Sequence, residues 1–166
     1  LEGIKVVLMP LSNFVAKKII CASNISDDIK NNWDDAWHGT KFRYVESIAK
    51  NGLVPSGSKL PDGTMIVPPE GHIKMDRIFD GFKNWAKAVF VSPSLCYASD
   101  NAYAERISSE GKTWAVLIEV KLKPNSYTKH ASTVFTRNAV DGEPKNVEFR
   151  VKSKENDELI YRTEFK

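Results

Sequence analysis

An α+β fold with largely antiparallel sheets is what this sequence predicts, and three observations carry the prediction. Helix-like segments fall early and in the middle of the chain, while most strand-like segments cluster late. That grouping is not the regular βαβ alternation of a parallel sheet. Neither GxGxxG nor GxxxxGK[ST] occurs, so no loop cradles phosphate in the manner of the doubly wound or P-loop folds. The 166 residues suffice for one domain with one sizeable core.

Taken in order, residues 4–8 read as a short strand, and residues 19–29 are ambiguous. Asp27, Asp28, Asn31, Asn32, Asp34 and Asp35 are capping and turn residues ahead of Trp37. Residues 42–50 form a helix, with Val45, Ile48 and Ala49 at helical spacing and Gly52 closing the end. Residues 55–85 are the least regular stretch, punctuated by proline and glycine. Met65, Ile66, Val67, Ile73, Met75, Ile78 and Phe79 are expected to anchor it. Residues 88–91 are a short buried-type strand. Pro93 then starts an amphipathic helix over 95–108, with Ala98, Ala102 and Ile107 toward the core. Residues 114–122 are the strongest strand, 123–126 a turn, 127–136 an irregular β-rich stretch, and Asp141-Gly142 a turn. Residues 146–152 and 158–165 alternate like paired strands.

Composition narrows the classes. Hydrophobic residues at 42% and charged residues at 27% are those of an ordinary globular protein, and no apolar run has the length of a membrane helix. No signal peptide is read at the start. The net charge of +3 is too small to argue for nucleic acid, and Lys and Arg are dispersed apart from Lys17-Lys18. Cys21 and Cys96 are too few for a disulfide framework, which favours a reducing intracellular compartment, cytoplasm or nucleus. Three histidines and two cysteines far apart in sequence give no metal-ligand spacing, so no metal is expected.

Three scattered segments bear chemistry: Trp37-His38-Gly39-Thr40, then 88–93 with Tyr97 and Tyr103 behind it, then Val147-Glu148-Phe149-Arg150-Val151. A histidine, stacking aromatics and a glutamate, in that order and each beside a strand-like run, match what cleavage of a nicotinamide–ribose bond requires. Nicotinamide leaves as a neutral ring from a cationic one, so no general acid is needed. The transition state instead needs a carboxylate near the positive, oxocarbenium-like ribose, a hydrogen bond that orients the sugar, and aromatic contact with the leaving ring.

On these residues the chain resembles the ADP-ribosyltransferase superfamily, in its His-Tyr-Glu branch of poly(ADP-ribose) polymerases and diphtheria toxin. The likeness spans roughly 36–165 and includes Ile48, Gly52-Leu53, Pro55, Gly57, 88–91, 117–120 and 159–162. It implies a split antiparallel β-sandwich with flanking helices, over 36–166, with 1–35 packed on it as an N-terminal segment. It also implies NAD as co-substrate, a protein or nucleic-acid acceptor, and mono-ADP-ribosylation with release of nicotinamide. By the resemblance His38 holds the adenosine-ribose hydroxyl, the Gly39 backbone grips the nicotinamide amide, and Glu148 binds the nicotinamide-ribose hydroxyl. Tyr97 or Tyr103 stacks on the ring where many members carry tyrosine at the position of Phe90, and Ser99 lies near a serine that bonds the amide. The implied NAD-contacting set is thus His38, Gly39, Thr40, Phe90, Tyr97, Ser99 and Tyr103, with Glu148, His38 and Tyr103 catalytic. Asn146 stands where the arginine-modifying toxins have Glu, and Trp37 precedes His38 where the RNA 2′-phosphotransferase relatives have Arg.

Plainer readings exist for each residue. His72 is a loop residue, Glu119 an exposed alternate-face residue, and Trp33, Trp37 and Trp85 core or rim. Phe90 and the tyrosine spacing favour the alternative of a catalytically inactive interaction module within a larger protein. A nucleic-acid binder is a third and weaker reading.

Overall fold

The computed structural model describes residues 6–10, 17–19, 27–109, 111–133 and 144–151. Two antiparallel sheets and a few short helices make an α+β domain. The expected turn at Asp141-Gly142 and strand at 158–165 lie outside the described residues.

The larger sheet is built around the eleven-residue strand β6, Lys112–Leu122. Val116, Leu117 and Ile118 are consecutive and fully buried, as expected of a strand covered on both faces. One edge of β6 pairs with β1 (Val6–Pro10), which pairs outward with β2 (Lys17–Ile19). The other edge is shared by two strands. Strand β3, Asp34–Gly39, pairs along 117–122, and β5, Arg106–Ser109, along 112–115. Between them the chain makes a junction. Thr40 N–H donates to Val116 O at 3.1 Å, Val116 N–H to Glu105 O at 3.1 Å, and Glu105 N–H to Thr40 O at 2.9 Å.

The smaller sheet has the order β4-β8-β7, from Val89–Val91, Glu148–Val151 and Tyr127–His130. Among the described residues one bridge links the sheets: Trp37 N–H donates to Ser92 O at 2.7 Å and Ser92 N–H to Trp37 O at 2.9 Å. The main core fills the space between them, with Ala36, Ile118, Val120 and Leu122 on one side and Val89, Val91, Phe149 and Val151 on the other. A second cluster of Ala98, Ala104, Ala115 and Leu117 covers the opposite face of the larger sheet, with Trp37 and Leu95 against it.

The helices are short. Helix α1, Asp27–Asn32, carries two aspartates in its first turn, where they suit the helix dipole. Asp34 and Asp35, expected in a turn, instead open β3. A 3-10 turn at Phe42–Tyr44 leads into α2, Val45–Asn51, which ends at Gly52 with φ 75°. That left-handed backbone is costly for residues with a Cβ and free for glycine.

The helix expected over 95–108 is corrected. Helix α3 is one turn, Leu95–Ala98, capped by Ser94 Oγ, which accepts the Tyr97 N–H at 3.0 Å; Pro93 lies outside the helix. Asp100 stops the helix, its carboxylate accepting the Ala102 N–H at 2.9 Å and its carbonyl the Tyr103 and Ala104 N–H groups. Aspartate competes in this way with the helical backbone. Tyr103 therefore sits in a turn, and Ile107 in β5 rather than on a helix face.

Residues 55–85 contain turns and isolated bridges but no helix or strand. Leu60 and Trp85 are its buried anchors. Met65, Val67, Ile78 and Phe79, expected to play that part, are exposed. No helix among the described residues is long and apolar enough to cross a membrane, and no group of three or more metal-ligating side chains occurs among them.

Candidate active site around Glu148

Glu148 opens β8, whose register sets the side chains of Phe149 and Val151 into the main core and those of Glu148 and Arg150 on the other face. The residue is 3% exposed. Oε2 collects hydroxyl protons, from Thr133 Oγ1 at 2.7 Å and Tyr97 Oη at 2.8 Å, with Tyr103 Oη at 3.2 Å. Tyr97 Oη in turn accepts the Thr133 N–H at 3.0 Å and lies 2.7 Å from Tyr103 Oη. With its one proton committed to Glu148, Tyr97 is the acceptor in that pair, so Tyr103 shares its single proton between Tyr97 Oη and Glu148 Oε2. Oε1 is buried and has no hydrogen-bond partner among the described residues.

Burial pushes the Glu148 carboxyl above the usual glutamate range. The hydrogen bonds from Thr133, Tyr97 and Tyr103 and the charge of His130 pull it back. Burial, followed by the neighbouring carboxylate, holds both phenols above the ordinary tyrosine range, so they stay protonated and remain donors.

Tyr97 and Tyr103 converge because α3 is so short. Its capped single turn presents Tyr97 inward at 2% exposure, and the Asp100 turn brings Tyr103 back beside it, ring centroids 5.2 Å apart. Gly39 makes this possible. A Cβ there would lie 2.3 Å from Ala98 O and 2.8 Å from Tyr103 Cβ, so only glycine lets the tyrosine turn seat against β3.

His38 is the neighbour of Gly39 on β3, and its Nδ1–H donates to Phe90 O at 2.9 Å. Burial lowers its basicity, with the Phe90 bond opposing, so the ring is neutral and Nε2 carries a lone pair that can accept a hydroxyl proton. Among the described residues His38 bonds Phe90 and not Glu148; the two are linked through Gly39 and Tyr103, and through β4, which pairs with β8.

The structure thus brings together Tyr97, Tyr103 and Glu148, with Gly39 beneath the tyrosine turn; the His38 side chain alternates to the other face of β3, where it meets Phe90 O. Phe90 tilts on Trp85 at 5.4 Å, and Thr40 uses its backbone in the sheet junction. Ser99 Oγ donates to Cys96 O at 3.0 Å and its carbonyl accepts from Arg106 Nη2, so Ser99 stands outside the carboxylate network. Glu119 is half-buried on β6, across from Trp37.

Sequence reading passed over Thr133 and gave His72 no part in the site. Thr133 has no motif around it; only the strand-then-irregular character of 127–136 pointed there. His72 is a loop residue, as read, but its ring meets the Tyr103 ring edge-on at 5.6 Å and its Nε2–H donates to Ala102 O at 3.0 Å.

The chain matches no family model, no curated protein and no solved structure.

Proposed function

We propose that this domain is an NAD-dependent ADP-ribosyltransferase with an ADP-ribosyltransferase-like split sandwich, releasing nicotinamide and mono-ADP-ribosylating a macromolecular acceptor. The observation that carries the reading is the Glu148 carboxylate: one oxygen receives the Tyr97 and Thr133 hydroxyls with Tyr103 beside them, and the other is buried with no partner among the described residues. An unpaired buried acceptor is costly unless a ligand donor reaches it. A ribose hydroxyl supplies that donor. Neutral His38 offers a second acceptor at Nε2, and two phenol rings border the same turn.

In the proposed reaction the bond between C1′ of the ribose and the nicotinamide nitrogen breaks, and its electron pair leaves with the ring. The acceptor's nucleophile gives an electron pair to C1′ and loses its proton to solvent. Glu148 orients the sugar and stabilises the positive charge that develops on it. The Tyr97 and Thr133 hydroxyls hold the carboxylate in one rotamer before substrate arrives.

The test is incubation with NAD labelled in its adenylate half, following free nicotinamide and label fixed to macromolecules. Wild type is expected to release nicotinamide, and Glu148→Gln to lower the rate at least about a hundredfold with the fold intact. Thermal stabilisation by NAD without nicotinamide release would establish an interaction module instead.

A further inference from the structure

Ser92-Pro93-Ser94 leads from β4 into α3, and both serines are sealed from solvent, Ser92 at 2% and Ser94 at 0% exposure. A hydroxyl has one proton to give and two lone pairs to receive. Ser92 directs them two ways. Its Oγ donates to Val147 O at 2.5 Å, on the residue that precedes Glu148, and accepts the Ser94 N–H at 3.0 Å. Ser94 Oγ accepts the Tyr97 N–H at 3.0 Å, and Tyr97 Oη donates to Glu148 Oε2 at 2.8 Å. The circuit closes on itself. One arm runs from Ser92 to the backbone ahead of Glu148, and the other runs through Ser94 and Tyr97 to the carboxylate of Glu148.

Each arm takes over where regular structure stops. The β4–β8 register ends at Val91 and Phe149. One step further the Ser92 hydroxyl, a side chain, holds the chain that carries Glu148. Helix α3 is a single turn, so the Ser94 cap sets the entry of Tyr97, and the Ser92 bond sets Ser94. The backbone of Ser92 is fixed in its turn by the paired bonds with Trp37 on β3, at 2.7 and 2.9 Å. One buried residue is thus bonded to β3, to the start of β8 and to the cap of α3. A hydrogen bond weakens steeply once its donor is misaligned, so the aim of Tyr97 Oη depends on this anchor.

We infer that Ser92 is a positioning residue for the Glu148 site: its hydroxyl fixes the backbone that carries the carboxylate and, through Ser94, the aim of the Tyr97 hydroxyl that donates to it. This rests on the transfer reading only for the use made of Glu148, since the alignment itself is read on the carboxyl. Tyr97 and Tyr103 face Glu148 from the α3 turn and Thr133 from beyond β7. His130 is its register partner on β7, and Arg150 lies two residues along β8. Burial raises the Glu148 carboxyl, and the hydrogen bonds from Thr133, Tyr97 and Tyr103 lower it, so a misdirected Tyr97 leaves it higher.

The test is carboxyl NMR of protein labelled at glutamate side-chain carbons, with the Glu148 signal identified by its loss in Glu148→Gln. In Ser92→Ala the Glu148 titration is expected to move to higher pH, as it is in Tyr97→Phe. In the double variant it is expected to move little beyond Tyr97→Phe alone, because both changes remove the same interaction. Ser92→Cys keeps a weak donor in place and is expected to move the titration in the same direction by less; it is the variant to read should Ser92→Ala not fold. In parallel, kcat for nicotinamide release is expected to fall between about ten- and a hundredfold in Ser92→Ala, with a smaller change in KM for NAD. A titration unmoved in both Ser92 variants overturns the inference. So does a shift from Ser92→Ala that is the same with and without the Tyr97 hydroxyl, the mark of a general loosening of the fold. Titrations that move as expected in a protein that releases no nicotinamide uphold Ser92 and remove the transfer reading.

Discussion

Burial raises the Glu148 carboxyl, and the direction of that shift fixes how this residue's contribution to stability depends on pH. A carboxyl raised in the fold binds its proton more tightly there than in the unfolded chain. Its stabilising contribution is complete below the ordinary value of 4.5 and is lost as pH rises through the folded value. Wherever the carboxyl is ionised in the fold, that charge is therefore held against a cost. Glu148→Gln removes that cost and keeps an oxygen to receive the Tyr97 and Thr133 hydroxyls. Its melting temperature is expected to exceed that of wild type by a few degrees at pH 7 to 8 (~1 kcal/mol corresponds to several degrees in a domain of this size). The gain should vanish toward pH 4, as thermal unfolding over a pH series would reveal. A variant less stable than wild type at all pH would mean that the carboxylate is structural. Gly39 gives the complementary expectation. Gly39→Ala drives a Cβ against the Ala98 carbonyl, a backbone atom that moves only with α3, at a cost of about 1–3 kcal/mol, read as a lowered melting temperature together with weakened NAD binding.

At the scale of elements, the single turn of α3 and the Asp80-Gly81 turn do what long helices do elsewhere: each fixes one side chain against the small sheet. Ser94 is the cap that orients Tyr97, and Ser94 N–H is itself bound by Ser92 Oγ, which donates to Val147 O at 2.5 Å one residue before Glu148. Ser94→Ala is expected to destabilise the domain by about 1 kcal/mol and to lower nicotinamide release by more than its stability loss explains, a comparison made by assaying well below the melting temperature. The strands were legible in the sequence where burial dictates composition. The run from Trp114 to Leu122 has few polar positions because both faces are covered, and Glu148 precedes alternation that the small sheet uses as expected. The same reasoning overextended α3, since Ala98, Ala102 and Ile107 have helical spacing while Asp100 offers the backbone better bonds in a turn. Asp-Gly was read as a turn at 141–142, yet at 80–81 the same dipeptide makes the turn that reaches His130. His38, Gly39, Tyr97, Tyr103 and Glu148 stood out as residue types fit for one chemistry, but Thr133, Asp80 and His130 are joined to them only by strand register and turn geometry. No local pattern carries that information.

Across the whole molecule, the two sheets touch through the Trp37–Ser92 bridge and the apolar layer between them, and the residues assigned to NAD divide between the sheets. His38 and Gly39 belong to the larger sheet and Glu148 to the smaller, with the tyrosine turn lying across the seam. A ligand that contacts both adds to the bridge, and its binding free energy appears as resistance to separating the sheets. At a free concentration one hundred times its dissociation constant, NAD is expected to add about 2.7 kcal/mol to the unfolding free energy. The distribution of that gain distinguishes a shared site from a local one. In hydrogen exchange, NAD is expected to slow residues 38–40, 97–104 and 128–133 together, because opening either sheet edge then requires release of the ligand. Exchange at the centre of β6, buried on both faces, should change only as far as global stability changes. Slowing confined to 38–40 would place the nucleotide on one sheet and leave Glu148 outside it. Slowing at all three segments, lost in Gly39→Ala and kept in Glu148→Gln, is the pattern of a dinucleotide lying across the seam with its reactive sugar at the carboxylate.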